Sequence, residues 1–178
     1  MFKPLAVMAG LLISTSSFAG IFPEVVSSLD LNSFLGRWYE VASTHPSFQK
    51  NCVCVTADYK LLDVAKVSVV NTCRKVAPDG VIDVAVGTAT TTSNPAKLNV
   101  SFGKFKLPFS NYWVVDRADD YRYAVVSTPL RTPVWVLSRT PDIAPADLEG
   151  IYQRLEESGF NTKRIKPTSQ TACSYTEE

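Results

Sequence analysis

Few side chains in this 178-residue chain have the types and spacing that catalysis requires. His45 is the only histidine and lies in a predicted loop, without a second imidazole for a metal ion or a matched nucleophile. Two carboxylate pairs are present, Glu40 with Asp58 and Asp119 with Asp120. Acidic residues on strands and turns usually form a solvated surface rather than a catalytic pair. The sequence therefore predicts no catalytic residue, no metal site and no enzyme.

The cysteines are the residues whose chemistry the sequence does indicate. Cys52, Cys54, Cys73 and Cys173 form an even set, which in an oxidising compartment favours two disulfides over a metal site or a reactive thiol. A bond between Cys52 and Cys54 would join near neighbours on one strand, and its geometry would be poor. Two pairings remain, and in both of them Cys52 and Cys54 bond to the two distant cysteines.

Residues 1–19 have the three parts of a signal peptide. Lys3 comes first, an apolar run from Leu5 to Ile13 follows, and small residues stand at Ser17 and Ala19. The apolar run is too short to span a bilayer, and no lipid-anchoring cysteine follows it. We expect cleavage after Ala19 and a mature protein that is soluble, periplasmic or secreted, and without an integral membrane segment.

Length and charge narrow the class of protein further. A chain of 178 residues can bury a sizeable core and is expected to form one domain. Its 18 basic and 17 acidic residues leave a net charge of +1, so no overall field attracts nucleic acid or an anionic membrane. Nucleic-acid binding is therefore not expected.

The elements that must position these side chains are mostly strands. From Val53 to Arg139, short segments of alternating apolar and polar residues are separated by turn residues such as those at 78–80. This spacing is typical of an antiparallel sheet that closes on itself or folds into a sandwich. The period then changes to that of one amphipathic helix at about 145–158, which must pack against the outside of the sheet.

The first strand carries a glycine two residues before a tryptophan, in the stretch Gly36-Arg37-Trp38-Tyr39-Glu40. Together with eight predicted strands, one C-terminal helix and a late arginine, this pattern resembles the lipocalins, in particular their bacterial and apolipoprotein D-like groups. The resemblance implies an all-β fold: an eight-stranded antiparallel up-and-down β-barrel at about 36–140, with the helix packed outside. Residues 20–178 would form this single domain, including a C-terminal tail that extends to 178.

Three family motifs can be placed on the chain, and the resemblance implies that they close the barrel. Their residues are Gly36 and Trp38 in the first strand, Asp116 and Tyr121 around the turn between the sixth and seventh strands, and Arg139 after the eighth. In the family, the last arginine packs across the first-strand tryptophan and closes the narrow end of the barrel. Stacking of a guanidinium plane on an indole is worth about 0.5–2 kcal/mol.

The resemblance also selects one disulfide pairing. A cysteine before the strand of Tyr59 and another near the C-terminus are similar to the disulfide of the apolipoprotein D-like group, which implies Cys54 with Cys173. Cys52 then bonds to Cys73 and joins a hairpin, while the other bond attaches the tail to the start of a strand. Simple alternation places Cys52 and Cys73 on opposite faces, so this pairing requires a twist or bulge at the rim.

Five residues are predicted to line a ligand cavity. Alternation and the similarity to the apolipoprotein D-like pocket assign inward positions to Tyr59, Asn71, Phe102, Tyr123 and Trp135. An aromatic and aliphatic lining with a few hydrogen-bonding groups suits an apolar chain or ring that has one polar end. The resemblance thus implies an exported carrier of a small hydrophobic or amphipathic ligand, such as a fatty acid or a lysophospholipid, with no cofactor.

Three further interpretations stay open from the sequence. The apolar loop at 103–110 contains Phe105, Leu107 and Phe109, which would form a lid, fold over their own barrel or contact a membrane surface transiently. An enzyme that isomerises or de-epoxidises lipids is one alternative function on the same barrel. A ligand-free interaction or inhibitor module, with a barrel filled by its own side chains, is the other.

Overall fold

A computed structural model describes residues 20–103 and 108–175 of the chain. In chain order its elements are α1 Leu31–Phe34, β1 Gly36–Ser43, β2 Cys52–Asp63, β3 Lys66–Lys75, β4 Ile82–Thr91, β5 Lys97–Phe102, β6 Tyr112–Arg117, β7 Tyr123–Ser127, β8 Val134–Ser138, α2 Pro145–Glu157 and β9 Lys166–Pro167. Short 3-10 turns lie at Ser47–Gln49 and Thr162–Arg164. The predicted signal peptide, residues 1–19, lies outside the described residues, as do Phe105 and Leu107 of the predicted mouth loop.

The first eight strands form one closed antiparallel barrel, in which each strand pairs with its neighbour in sequence. β1 closes the barrel because it pairs with β2 on one side, with Trp38 opposite Ala57, and with β8 on the other, with Glu40 opposite Leu137. The predicted all-β barrel with one helix outside it is confirmed, and β9 adds a short ninth strand beside β1. In the described ranges, no helix is long and apolar enough to cross a bilayer.

Apolar side chains fill two layers, one on each face of the barrel wall. The interior layer includes Trp38, Tyr59, Val69, Leu98 and Val126. The outer layer joins Val125 and Val136 of the barrel to Ile151 and Leu155 of α2. The part of the wall beneath α2 is therefore buried on both faces, whereas the outer face of β4 is open to solvent at Val84 and Val86.

A bulge in β2 makes the predicted disulfide pairing possible. Cys54 has a φ of 53°, and the register between β2 and β3 shifts between Val53 and Thr56. The extra residue brings Cys52 to the same face as Cys73 and turns Cys54 toward Cys173. The structure contains both of these bonds, each with a Cα–Cα distance of 5.5 Å.

The C-terminal tail fills the gap that opens between β1 and β2 near the mouth of the barrel. The Cys54 backbone N–H donates to the carbonyl of Ser169, with an N···O distance of 2.9 Å. The side-chain amide of Gln170 donates to the carbonyls of Glu40 and Val55, at 2.8 and 2.9 Å. The tail thus supplies hydrogen bonds that these two strands do not make to each other at that height.

Candidate ligand-binding site

The closed end of the barrel is built around Trp38 and Arg139. Trp38 is fully buried, and its Nε1 donates to the carbonyl of Phe34 at 2.9 Å. The guanidinium carbon of Arg139 lies 3.6 Å from the centre of the indole ring. Its two terminal nitrogens donate to the carbonyls of Arg37 and Ser33, at 2.8 and 2.6 Å. The stack therefore fastens the end of β8 to both α1 and β1.

The other residues of the predicted closing motif take different places. Gly36 has a φ of 86°, a left-handed conformation that favours glycine. The Tyr121 hydroxyl accepts a 2.7 Å hydrogen bond from the backbone N–H of Asp30, which caps α1. Asp116 instead accepts from Nε and Nη2 of Arg154 on α2, at 3.0 and 2.8 Å. Gly36 and Tyr121 thus support the base, whereas Asp116 anchors the outer helix.

A pair of tyrosines fills the interior just above this base. Tyr59 stacks on Phe34, with ring centres 5.7 Å apart, and its hydroxyl lies 2.9 Å from that of Tyr112. Burial raises the pKa of Tyr59 to about 12 and raises the pKa of Tyr112 well above its ordinary value. The predicted ligand-binding Tyr59 therefore has a protein partner for its hydroxyl at the closed end.

The cavity at this level is small. Its volume is about 20 Å³, and it is lined by Leu31, Phe34, Leu35, Tyr59, Val67, Val69, Ala89, Leu98, Val100 and Tyr112. A cavity of this size holds about one water molecule. This level of the barrel therefore has no room for a larger guest, which would have to lie in the half nearer the mouth.

Asn71 faces the interior in that upper half. It lies opposite Ala57 of β2, a member of the interior layer, and opposite Ala85 of β4, so the neighbouring inward side chains are short. The Asn71 Oδ1 atom is buried and accepts no hydrogen bond from the described residues. An unsatisfied buried acceptor costs about 1–3 kcal/mol, so a donor from a bound molecule would stabilise this position.

Phe102 and Trp135 also lie on the inward face of the wall. Phe102, at the end of β5, lies opposite Gly87 of β4. Its ring packs directly on the Gly87 backbone, because a Cβ added to Gly87 would stand only 2.8 Å from Cδ1 of Phe102. It is 47% exposed, which places it at the rim. Trp135 lies opposite Val126 of the interior layer and packs against that layer. Together with Asn71, these aromatic side chains line the upper part of the barrel.

A chain of hydrogen bonds that sequence reasoning missed crosses this upper part. Trp135 Nε1 donates to Gln49 Oε1, and Gln49 Nε2 donates to Glu40 Oε2, both at 2.7 Å. The second carboxylate oxygen of Glu40 accepts from the Thr168 hydroxyl at 2.6 Å. The sequence did indicate that Glu40 faces inward, because it follows the inward-facing Trp38 by two residues in the same strand.

The prediction that Tyr123 lines the cavity is wrong. Tyr123 belongs to the outer layer beneath α2, and its hydroxyl accepts a 2.8 Å hydrogen bond from Arg154 Nη2. All residues of β7 are buried, since the barrel interior covers one face and α2 covers the other. Alternation therefore contains no information about which face of this strand is inward, and Ala124 and Val126 are the inward residues.

One group of potential metal ligands lies at the rim. The sulfur atoms of Cys52 and Cys73 and a carboxylate oxygen of Asp83 are all within 4.8 Å of one another. Both cysteines are disulfide-bonded, so neither offers a thiolate, and Asp83 forms an ion pair with Lys75 at 2.7 Å. These residues therefore link β2 to β3 through a disulfide bond and β3 to β4 through an ion pair.

A barrel with this arginine–tryptophan base and external helix can be compared with known proteins. A family model described as a lipocalin-like domain matches residues 29–170. The chain belongs to the lipocalin family. This lipocalin is 31% identical to apolipoprotein D of Mus musculus over 161 aligned residues. The aligned residues cover 85% of this chain and 82% of that protein.

Two further comparisons agree with this assignment. The outer membrane lipoprotein Blc of Vibrio cholerae is 37% identical to this lipocalin over 145 residues, which cover 79% of this chain and 82% of that protein. Insecticyanin from the tobacco hornworm Manduca sexta shares the fold, with a TM-score of 0.66 and 23% identity over 89% of this chain and 92% of that chain. The family resemblance seen in the sequence is therefore confirmed.

Proposed function

We propose that this lipocalin binds one small amphipathic molecule in the upper half of its barrel and carries or sequesters it. The observation that carries the proposal is Asn71 Oδ1, a buried acceptor without a partner among the described residues, at the side of a largely apolar interior. Buried polar atoms are nearly always paired in proteins, so an unpaired one on the inward face of the barrel favours a bound hydrogen-bond donor.

The geometry restricts how such a ligand would lie. The space at the base is about 20 Å³, so an apolar chain would occupy the region between Phe102 and Trp135 and place a donor group, such as a hydroxyl, near Asn71. Affinity would come mainly from apolar burial, at about 25 cal/mol per Å² before ordering costs are subtracted. A lysophospholipid or a protonated fatty acid has this combination of a chain and a donor.

We also propose that the protein is exported and binds its ligand without changing it chemically. Two disulfides are typical of an oxidising compartment, and one relative is named as an outer membrane lipoprotein. All four cysteines are oxidised, which removes the most readily activated nucleophile from the barrel. At the mouth, Phe109 is 57% exposed and would contribute to a transient membrane contact together with Phe105 and Leu107.

The test is native mass spectrometry of the gently purified protein, combined with displacement of a fluorescent fatty acid. We expect a bound lipid, and we expect Asn71→Leu to weaken the binding of a hydroxylated lipid about tenfold because the acceptor is lost. Tyr123→Phe is the matched control, since its hydroxyl lies outside the barrel, and it should leave the affinity unchanged. A ligand-free protein that fails to displace the probe would contradict the proposal.

The small cavity at the base supports one alternative, an interaction module whose barrel is filled by its own side chains. In that case no lipid would copurify, and Asn71→Leu would stabilise the free protein without altering any binding. The mass spectrum therefore distinguishes the two functions directly.

A further inference from the structure

We propose a second binding site, for a phosphate group, on the outside of the barrel beneath the C-terminal tail. A cavity of about 30 Å³ lies there, against the outer face of β2 and β3, and is lined by Arg37, Cys54, Thr56, Asp58, Thr72, Arg74, Ile82, Ser174 and Tyr175. The site is separate from the barrel interior and does not rest on the carrier function.

Arg74 provides the charge that an anion would meet. Its only hydrogen bond within the described residues runs from Nη1 to the carbonyl of Gly80, at 3.2 Å, and no carboxylate there pairs with it. The other arginine in the wall, Arg37, directs Nε and Nη2 at the two oxygens of Asp58, at 2.7 and 3.2 Å. Because that pair is neutral overall, the lining residues that the structure describes have a net charge of +1, which Arg74 supplies.

Two threonine hydroxyls supply further donors. Thr56 and Thr72 lie directly opposite each other on β2 and β3, on the outer face. Thr56 is only 5% exposed, yet neither hydroxyl makes a hydrogen bond within the part of the chain that the structure describes. Both residues line the cavity, so their hydroxyls can donate to a group bound there. Arg74 and these two hydroxyls together match a ligand that has several acceptor oxygens.

The tail makes this surface concave. The Cys54–Cys173 disulfide attaches it to β2, and the Tyr175 ring packs edge-on against Tyr39 with centres 4.8 Å apart. The Tyr175 hydroxyl donates to Gln170 Oε1 at 2.7 Å, which further holds the ring in place. The cavity is therefore complete only while the disulfide is oxidised.

Size and chemistry select a phosphate group. The cavity is too small for a lipid chain, and a guanidinium fork binds phosphate oxygens with two parallel hydrogen bonds while hydroxyls satisfy the remaining oxygens. The same group occurs as free phosphate and as the head group of a phospholipid. An experiment must therefore include both sources.

The experiment titrates the oxidised protein with inorganic phosphate at constant ionic strength and follows the backbone amide NMR signals. We expect saturable shifts around Thr56 and Thr72. Arg74→Gln should weaken binding at least tenfold, because a charge-assisted hydrogen bond is lost. Arg164→Gln is the matched control, since it removes the same charge from an exposed turn and should retain the affinity. The double variant Cys54→Ser with Cys173→Ser should weaken binding by releasing the tail.

The second arm measures flotation with phosphatidylcholine vesicles, with and without phosphatidic acid. Binding of inorganic phosphate without flotation identifies a free anion as the ligand, and flotation that is lost in Arg74→Gln but kept in Arg164→Gln identifies a lipid head group. The proposal is overturned if phosphate causes no saturable shift. It is equally overturned if the two arginine variants lose affinity to the same extent, because binding would then follow net charge alone.

Discussion

Glycine is required at position 36 because of the backbone conformation there, and not because a side chain would lack space. Its φ of 86° lies in the region that L-residues avoid, while a Cβ at this position would only touch Arg139 Nη1 at an ordinary 3.6 Å. We therefore predict that Gly36→Ala lowers the free energy of unfolding by about 1–2 kcal/mol through conformation alone. Urea denaturation, monitored by tryptophan fluorescence, measures this change in the free energy of unfolding.

Gly150 is the control for that substitution. It lies within α2, and a Cβ there would stand 3.1 Å from Nη1 of Arg154, so this guanidinium must shift by a few tenths of an ångström against its hydrogen bonds to Asp116. Gly150→Ala should therefore change stability by less than about 1 kcal/mol, since the helix preference of alanine offsets the cost of that shift. Equal destabilisation by both substitutions would contradict the role assigned to the conformation of Gly36.

The buried pair of Tyr59 and Tyr112 makes a prediction about alkaline pH. Burial raises the pKa of both hydroxyls, that of Tyr59 to about 12, whereas both ionise near 10 in the unfolded chain. Their contribution to stability is therefore complete below about pH 10 and is lost as the pH rises toward 12. Thermal melts of Tyr59→Phe should show a smaller loss over this range than melts of the unmodified protein, and an equal loss would refute the assignment.

At the scale of elements, α2 hides from the sequence which residues of β7 face the barrel interior. The helix docks through apolar contacts of Ile151 and Leu155 and through the ion pair of Arg154 with Asp116. Covering the outer face makes every residue of β7 buried, so the polar-out pattern on which alternation depends is erased there. Alternation and the similarity to the apolipoprotein D-like pocket assigned Tyr123 inward, and the covering of the outer face explains why alternation failed there.

The docking of α2 also predicts an acid sensitivity. The Arg122 guanidinium forms hydrogen bonds with both oxygens of Asp147, at 2.7 and 2.9 Å, and holds the pKa of that carboxyl below its usual value. The stabilisation is present above the unfolded pKa of about 3.9 and is lost as the pH falls through the lower folded value.

Melting temperatures measured between pH 7 and pH 2 check this prediction. Arg122→Gln should lower the melting temperature at neutral pH and should reduce its fall in acid, because Asp147 and Asp120 both lose the guanidinium that lowers their pKa in the folded state. An unchanged acid profile in Arg122→Gln would show that this ion pair does not contribute to the docking of α2.

At the scale of the whole molecule, the tail disulfide joins residues far apart in sequence. Cys54 and Cys173 are separated by 119 positions, and Cys52 and Cys73 by 21. In the chain-entropy account, the longer loop gives the larger stabilisation, by roughly 1.5 kcal/mol. Urea unfolding of the two Cys→Ser double variants should therefore show the greater loss for the tail bond. A greater loss for the hairpin bond would contradict the prediction.

The amino-acid sequence by itself determined the architecture of this lipocalin. Strand alternation depends only on local chemistry, so the barrel strands and the outer helix could be read from it, and the Gly36 and Trp38 motif identified the closed end. The inward position of Asn71 also followed, because β3 alternates without a bulge along its pairing with β4. The disulfide pairing was accessible through the family resemblance, whereas strand parity alone placed Cys52 and Cys73 on opposite faces and did not show the bulge at Cys54.

Only the tertiary structure decided what lies between distant segments. Gln49 meets Glu40 and Trp135 because a turn folds back over the mouth, and the outer cavity around Arg74 exists because the tail crosses β2 and β3. Neither arrangement has a periodic signature, since each depends on contacts between residues far apart in the chain. The small volume at the base is likewise a property of packing, which residue types alone do not specify.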